Sequence, residues 1–108
     1  MSLEKTVHIN QLLSYYGTLL TEKQQTMMAS YYEEDLSLSE IGENYQISRQ
    51  AVYDNLKRAE SLLKEYEEKL KLLEKSNQRL KRYEQLKQVL TKNQQAVEMV
   101  EDLIQKEL

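Results

Sequence analysis

The chain has 108 residues, of which 31% are charged, and its formal net charge is −3. That length holds one small domain and an appendage, and the slight acidity confines any contact with nucleic acid to a local basic patch, because an acidic flank repels phosphate. With no Cys and a single histidine, His8, disulfides, thiolate nucleophiles and zinc sites are excluded, and no metal or cofactor is expected.

Apolar residues at Leu3, Val7, Leu12, Leu13, Tyr16, Leu19 and Leu20 recur at roughly helical spacing, which predicts a first helix over 3–20. Thr21 then caps a second helix, with Gln24 in the capping-box position. Met27, Met28, Tyr31 and Tyr32 supply its buried face, and Glu33, Glu34 and Asp35 end it, since three acids at a helix C-terminus oppose the macrodipole. Neighbours on a helix diverge by about 100°, so one tyrosine of each pair, 15–16 and 31–32, is expected inside and the other partly exposed.

Residues 37–59 read as two short helices joined by a tight turn, the pattern of a helix-turn-helix. Ser37 and Glu40 form a second capping box, and Leu38 and Ile41 give the helix over 38–44 its buried side. Tyr45 and Ile47 bracket the turn. Ser48 caps the next helix, which Val52 and Leu56 anchor to the core. Its free face carries Arg49, Gln50, Tyr53, Asp54, Lys57 and Arg58. Arg49 and Gln50 suit base edges, guanine and adenine respectively, while Lys57 and Arg58 suit phosphate. Asp54 opposes phosphate, and is expected either to accept from a cytosine amino group or to pair with Arg58 one turn on. The candidate DNA-binding residues are therefore Ser48, Arg49, Gln50, Tyr53, Asp54, Lys57 and Arg58.

From 48 onward no strong breaker occurs, and Leu56, Ala59, Leu63, Tyr66, Leu70, Leu73, Asn77 and Leu80 alternate in steps of three and four, as a coiled-coil seam does. The alternation slips at Tyr83 and Leu86, then resumes through Leu90, Asn93, Val97, Val100 and Ile104. One helix over 49–108 would be about 90 Å long and would need a partner. A break is therefore expected, at 75–79 or at 91–93, with one or two helices returning. Glu60, Glu67 and Glu74 fall on one flank of the seam and read as a solvated column. The expected core includes Leu13, Met28, Tyr32, Ile41, Ile47, Val52 and Leu56. The expected architecture is all-α, a helix-turn-helix domain over 1–60 and a helical extension over 61–108 that dimerises, folds back, or does both.

The stretches LTEKQ at 20–24, SLSEI at 37–41 and ISRQAVYDNLKRAE at 47–60 resemble region 4 of the sigma-70 family. With SLEKT at 2–6, YY at 31–32 and SRQAVYDNLKR at 48–58, the chain resembles the YlxM family of small bacterial helix-turn-helix proteins over residues 2–70. The resemblance implies a regulator that binds double-stranded DNA and, from the family's gene neighbourhood beside the signal recognition particle GTPase, a link to that pathway or to one of its components. Two positions depart from the family pattern. Gln46 stands where the turn usually has glycine, so Asn44 or Gln46 must take a positive φ, and Gly42 stands where alanine is usual, either being small enough for close approach.

No nucleophile with an adjacent base, glycine-rich phosphate loop or apolar carboxylate pair occurs, so the chain does not read as an enzyme. The beginning lacks the apolar core of a leader and no stretch approaches a membrane span, so a cytoplasmic protein without membrane insertion is expected. Two readings of function follow: a DNA-binding regulator, dimeric through its C-terminal helices, or a protein-interaction module in which the helix-turn-helix is structural.

Overall fold

The computed structural model describes residues Ser2–Leu108, which fold into six helices with no strand. These are α1 (Leu3–Tyr16), α2 (Glu22–Tyr32), α3 (Leu38–Tyr45), α4 (Arg49–Leu70), α5 (Leu72–Val89) and α6 (Gln94–Glu107), with a short 3₁₀ turn at Gly17–Leu19 after α1. None of them is long and apolar enough to cross a membrane. The chain divides after Leu70 into two compact units, ten residues beyond the boundary expected from sequence.

In the first unit α4 packs against α1, α2 and α3. The core is Ile9, Leu12 and Tyr16 from α1, Leu20 from the turn, Met27, Met28 and Tyr32 from α2, Ile41 from α3, and Val52, Leu56, Ala59 and Leu63 from α4. Leu13 and Ile47, expected inside, are only half-buried, while Leu3 and Val7 lie exposed and Ile9 takes their place. Tyr15 and Tyr31 are half-buried beside their buried neighbours Tyr16 and Tyr32, the division that helical geometry requires. Both capping boxes form: the Thr21 hydroxyl accepts from the Gln24 N–H and the Gln24 side chain accepts from the Thr21 N–H, and Ser37 and Glu40 make the same exchange. The two hydrogen bonds from Ser37 hold the Glu40 carboxyl below the usual carboxylate range.

The start of the expected seam, Leu56, Ala59 and Leu63, is thus consumed inside the first unit. The helix then breaks at one residue, Lys71, which stands at φ 56°, ψ 31° between Leu70 and Leu72. The break expected at 75–79 is absent, since that stretch lies inside α5, whereas the alternative at 91–93 coincides with the turn before α6, which Asn93 caps.

The second unit is an α5–α6 hairpin. Its α5 seam is Leu73, Ser76, Leu80, Tyr83, Lys87 and Leu90, all buried or half-buried, in uninterrupted steps of three and four. Asn77 and Leu86, assigned to the seam from sequence, lie outside it, and the apparent slip in the heptads disappears. Ser76 and Lys87 are tolerated there because α6 answers them: Ser76 Oγ donates to Glu107 Oε2 at 2.6 Å, and Lys87 pairs with Glu101 at 3.3 Å. Arg79 also grips Glu107, through Nε at 2.7 Å and Nη2 at 3.1 Å. Those donors hold the Glu107 carboxyl below its ordinary range, Arg79 contributing most.

Candidate nucleic-acid interface

The helix-turn-helix is built from α3, the turn 46–48 and the N-terminal half of α4. The turn closes by backbone geometry. Gln46 takes the left-handed conformation at φ 57°, ψ 42°, its N–H bonds to Glu43 O at 3.3 Å, and the Ile47 N–H reaches back to Gly42 O at 2.9 Å. That pair of bonds is a Schellman motif, which satisfies carbonyls that the end of α3 would otherwise leave open. Of the two residues that could supply a positive φ, Gln46 does so, at a cost that glycine would not incur.

Gly42 is not interchangeable with alanine in this fold. A Cβ there would lie 2.7 Å from the Ile47 carbonyl oxygen, inside the closest ordinary contact, and that oxygen belongs to the backbone of the turn. The missing methyl lets the turn lie directly against α3, so Gly42 sets the approach of the two helices and is more than a weak helix former.

Ser48 caps α4, its Oγ accepting from the Ala51 N–H at 3.0 Å. The other six candidate residues are all exposed on the first turns of α4 and form two parallel stripes at i, i+4 spacing. Arg49, Tyr53 and Lys57 make one, with the Lys57 ammonium 5.4 Å from the centre of the Tyr53 ring, a cation–π contact. Gln50, Asp54 and Arg58 make the other. There Gln50 Nε2 donates to Asp54 Oδ1 at 3.1 Å. The anticipated pairing of Asp54 with Arg58 does not form; the carboxylate is held by the amide one turn before it. Arg58 borders a shallow groove with Gln24, Ser61 and Glu65.

The flank next to the first stripe holds the feature that sequence reasoning missed. Glu60, read as part of a solvated column, is 4% exposed. Its Oε1 accepts from the Tyr32 hydroxyl, and its Oε2 faces two ammonium groups, Lys5 at 3.7 Å and Lys57 at 3.6 Å. Burial, and then the bond to Glu60, push the Tyr32 hydroxyl well above the ordinary tyrosine range. The Glu60 charge in turn raises Lys57. One heptad further along α4, Glu67 accepts from the Tyr16 hydroxyl at 2.6 Å. The signal available in the sequence was the shared seven-residue step of these two acids, together with a chain whose every aromatic residue is tyrosine and so carries a hydroxyl into the core.

A comparison with protein families finds the family described as "Putative helix-turn-helix protein, YlxM / p13 like" matching residues 3–103. The chain is 59% identical over 75 residues to the UPF0122 protein YlxM of Bacillus subtilis, an alignment that covers 69% of this chain and 68% of that one. It is 58% identical over 73 residues to the UPF0122 protein of Shouchella clausii, covering 68% of this chain and 67% of the relative, and 57% identical over 75 residues to that of Bacillus licheniformis, covering 69% and 70%.

Proposed function

The chain belongs to the YlxM/p13-like helix-turn-helix family, and from that premise we propose that it is a regulatory protein that binds double-stranded DNA through the first turns of α4. The observation that carries this reading is the pair of exposed stripes on a helix whose start is pinned by a Schellman turn and a serine cap. A helix presented in this way fits the major groove, with Arg49 and Gln50 at base edges, Arg58 and Lys57 toward phosphate, and Tyr53 between them. Asp54, held by Gln50, restrains attraction for nonspecific DNA. A lone helix-turn-helix spans few base pairs, so the functional form is a homodimer. Leu86 and Val89 on α5 are exposed and join Tyr83 in an apolar groove, which supplies the surface for a second copy.

Selection of sites from random duplex DNA, followed by salt-titrated binding, tests the reading. Arg49→Ala should lose about 1–3 kcal/mol at the selected site, and Asp54→Asn should tighten nonspecific binding. Sedimentation should give twice the 12.9 kDa chain mass. No enriched sequence, with all variants binding alike, would favour the second reading, an interaction module for a signal recognition particle component. That reading draws support from the charge of the first unit, seven Lys and Arg against twelve Asp and Glu over 2–70. Mixing the purified protein with the particle's GTPase and RNA, separately, would test it directly.

A further inference from the structure

A pocket of about 290 Å³ opens between the start of α1 and the exposed stripe of α4, lined by Ser2, Lys5, Tyr31, Tyr53, Lys57 and, at its floor, Glu60. Two ammonium groups from helices far apart in sequence converge there on one carboxylate oxygen. Neither comes within hydrogen-bond distance of it, at 3.7 and 3.6 Å, so both keep donors to offer. Glu60 itself is buried and turned toward Tyr32, which takes up its other oxygen. The pocket therefore presents two positive charges at its mouth and one negative charge beneath them, a local excess of one positive charge inside a unit that is acidic as a whole.

An isolated pair of ammoniums would repel and splay. The buried carboxylate between them removes that cost and preorganises them, so an incoming anion meets a formed site. The Tyr53 ring lies under Lys57 and restricts it further. Ser2, Tyr31 and Tyr53, whose hydroxyls are of a type that can donate to tetrahedral oxygens, line the pocket together with the apolar Leu38 and Leu56.

We propose that this pocket is a phosphate-binding site, in which Lys5 and Lys57 hold a phosphoryl group and Glu60 acts as the positioning residue that keeps the two ammoniums together. The phosphate has two sources that this chemistry does not separate: the backbone of a DNA duplex lying along α4, or a free phosphorylated small molecule. The first source rests on the DNA-binding reading above; the second does not.

The experiment has two arms on the full chain. In the first, inorganic phosphate and then pyrophosphate are titrated at constant ionic strength while backbone amide and tyrosine ring resonances are followed by NMR. Lys5, Tyr31 and Tyr53 should shift saturably in the wild type. The shift should be lost in Lys5→Ala and in Lys57→Ala and kept in Lys64→Ala, which alters an exposed lysine of α4 outside the pocket. Lys5 is a partly exposed residue of the first turn of α1, and its loss leaves Glu60 still facing Lys57 and bonded to Tyr32. No saturable shift, or an equal shift in all three variants, overturns the site.

The second arm measures duplex binding against salt. If the phosphate is that of DNA, Lys5→Ala lowers affinity for all sequences alike and reduces the salt slope by about one. If Lys5→Ala abolishes the phosphate shifts and leaves DNA binding unchanged, the source is a free phosphorylated ligand. Should no duplex bind at all, the DNA reading alone fails, and the first arm still decides the site.

Discussion

Replacing Tyr32 by phenylalanine removes one hydroxyl and almost no volume, so it isolates the bond between α2 and the Glu60 carboxylate. Both partners are buried, Tyr32 at 7% exposure and Glu60 at 4%, so water cannot easily stand in for the lost donor. The carboxylate keeps two ammoniums, but both lie beyond hydrogen-bond distance. A hydrogen bond to a charged group contributes about 1.5–3 kcal/mol, so Tyr32→Phe should destabilise the first unit by that amount. For a unit of this size the loss corresponds to a fall of about 6–24 °C in Tm. Seven of the eight tyrosines precede Lys71, which makes tyrosine fluorescence during urea unfolding a report on this unit.

The partner bond gives an internal comparison. Glu67 is only half-buried, so solvent can replace the Tyr16 hydroxyl, and Tyr16→Phe should cost about 0.5–1.5 kcal/mol. Combining Tyr32→Phe with Glu60→Gln should cost less than the two changes added separately, since both remove the same interaction. The reasoning fails if Tyr32→Phe stays within about 0.5 kcal/mol of wild type or if Tyr16→Phe is the more damaging change.

Gly42→Ala gains about 1 kcal/mol of helix propensity but drives a methyl against the Ile47 carbonyl, an overpacking that costs about 1–3 kcal/mol. The expected result is a net loss of up to about 2 kcal/mol by chemical denaturation, and a stabilised variant would show that the turn can move away freely. Gln46→Gly should stabilise the same unit by about 0.5–1 kcal/mol, because the left-handed conformation then carries no Cβ penalty. Glu107 has a folded pKa held below its unfolded value, so its contribution is present above the unfolded pKa and lost as pH falls through the folded one. Amide protection factors over 72–107, taken relative to the intrinsic exchange rate at each pH, should therefore fall on acidification below about pH 4, and Glu107→Gln should already be less protected near neutrality and lose that pH dependence.

The helix-turn-helix was legible because its signals are local. Capping boxes at Thr21 and Ser37, the Ser48 cap and the i, i+4 spacing of Val52 and Leu56 are all written within a turn or two of the residues they fix. The features that were not legible depend on partners distant in sequence. Glu60 reads as a surface charge until α2 brings Tyr32 against it and α1 brings Lys5. Ser76 and Lys87 interrupt an apolar pattern and belong to the seam only because Glu107 and Glu101 receive them. The break at Lys71 carries no glycine, proline or asparagine; a lysine there adopts the left-handed conformation. The chain also holds more apolar residues than its cores admit, so periodicity alone could not choose Ile9 over Val7.

The two tyrosine–glutamate bonds along α4 bear on the aim of that helix. Apolar packing against Val52, Leu56 and Leu63 tolerates small rotations, because a slightly turned stripe still buries nearly the same area. A hydrogen bond does not, since it weakens steeply with angle. Glu60 and Glu67 stand one heptad apart and are bonded to hydroxyls from two different helices. Together they lock the rotational phase of α4 about its own axis. A turn of 100°, one residue's worth, would carry both carboxylates off their donors at once. The compass direction in which Arg49 and Gln50 leave the surface is thereby set by chemistry three and more turns further along the same helix.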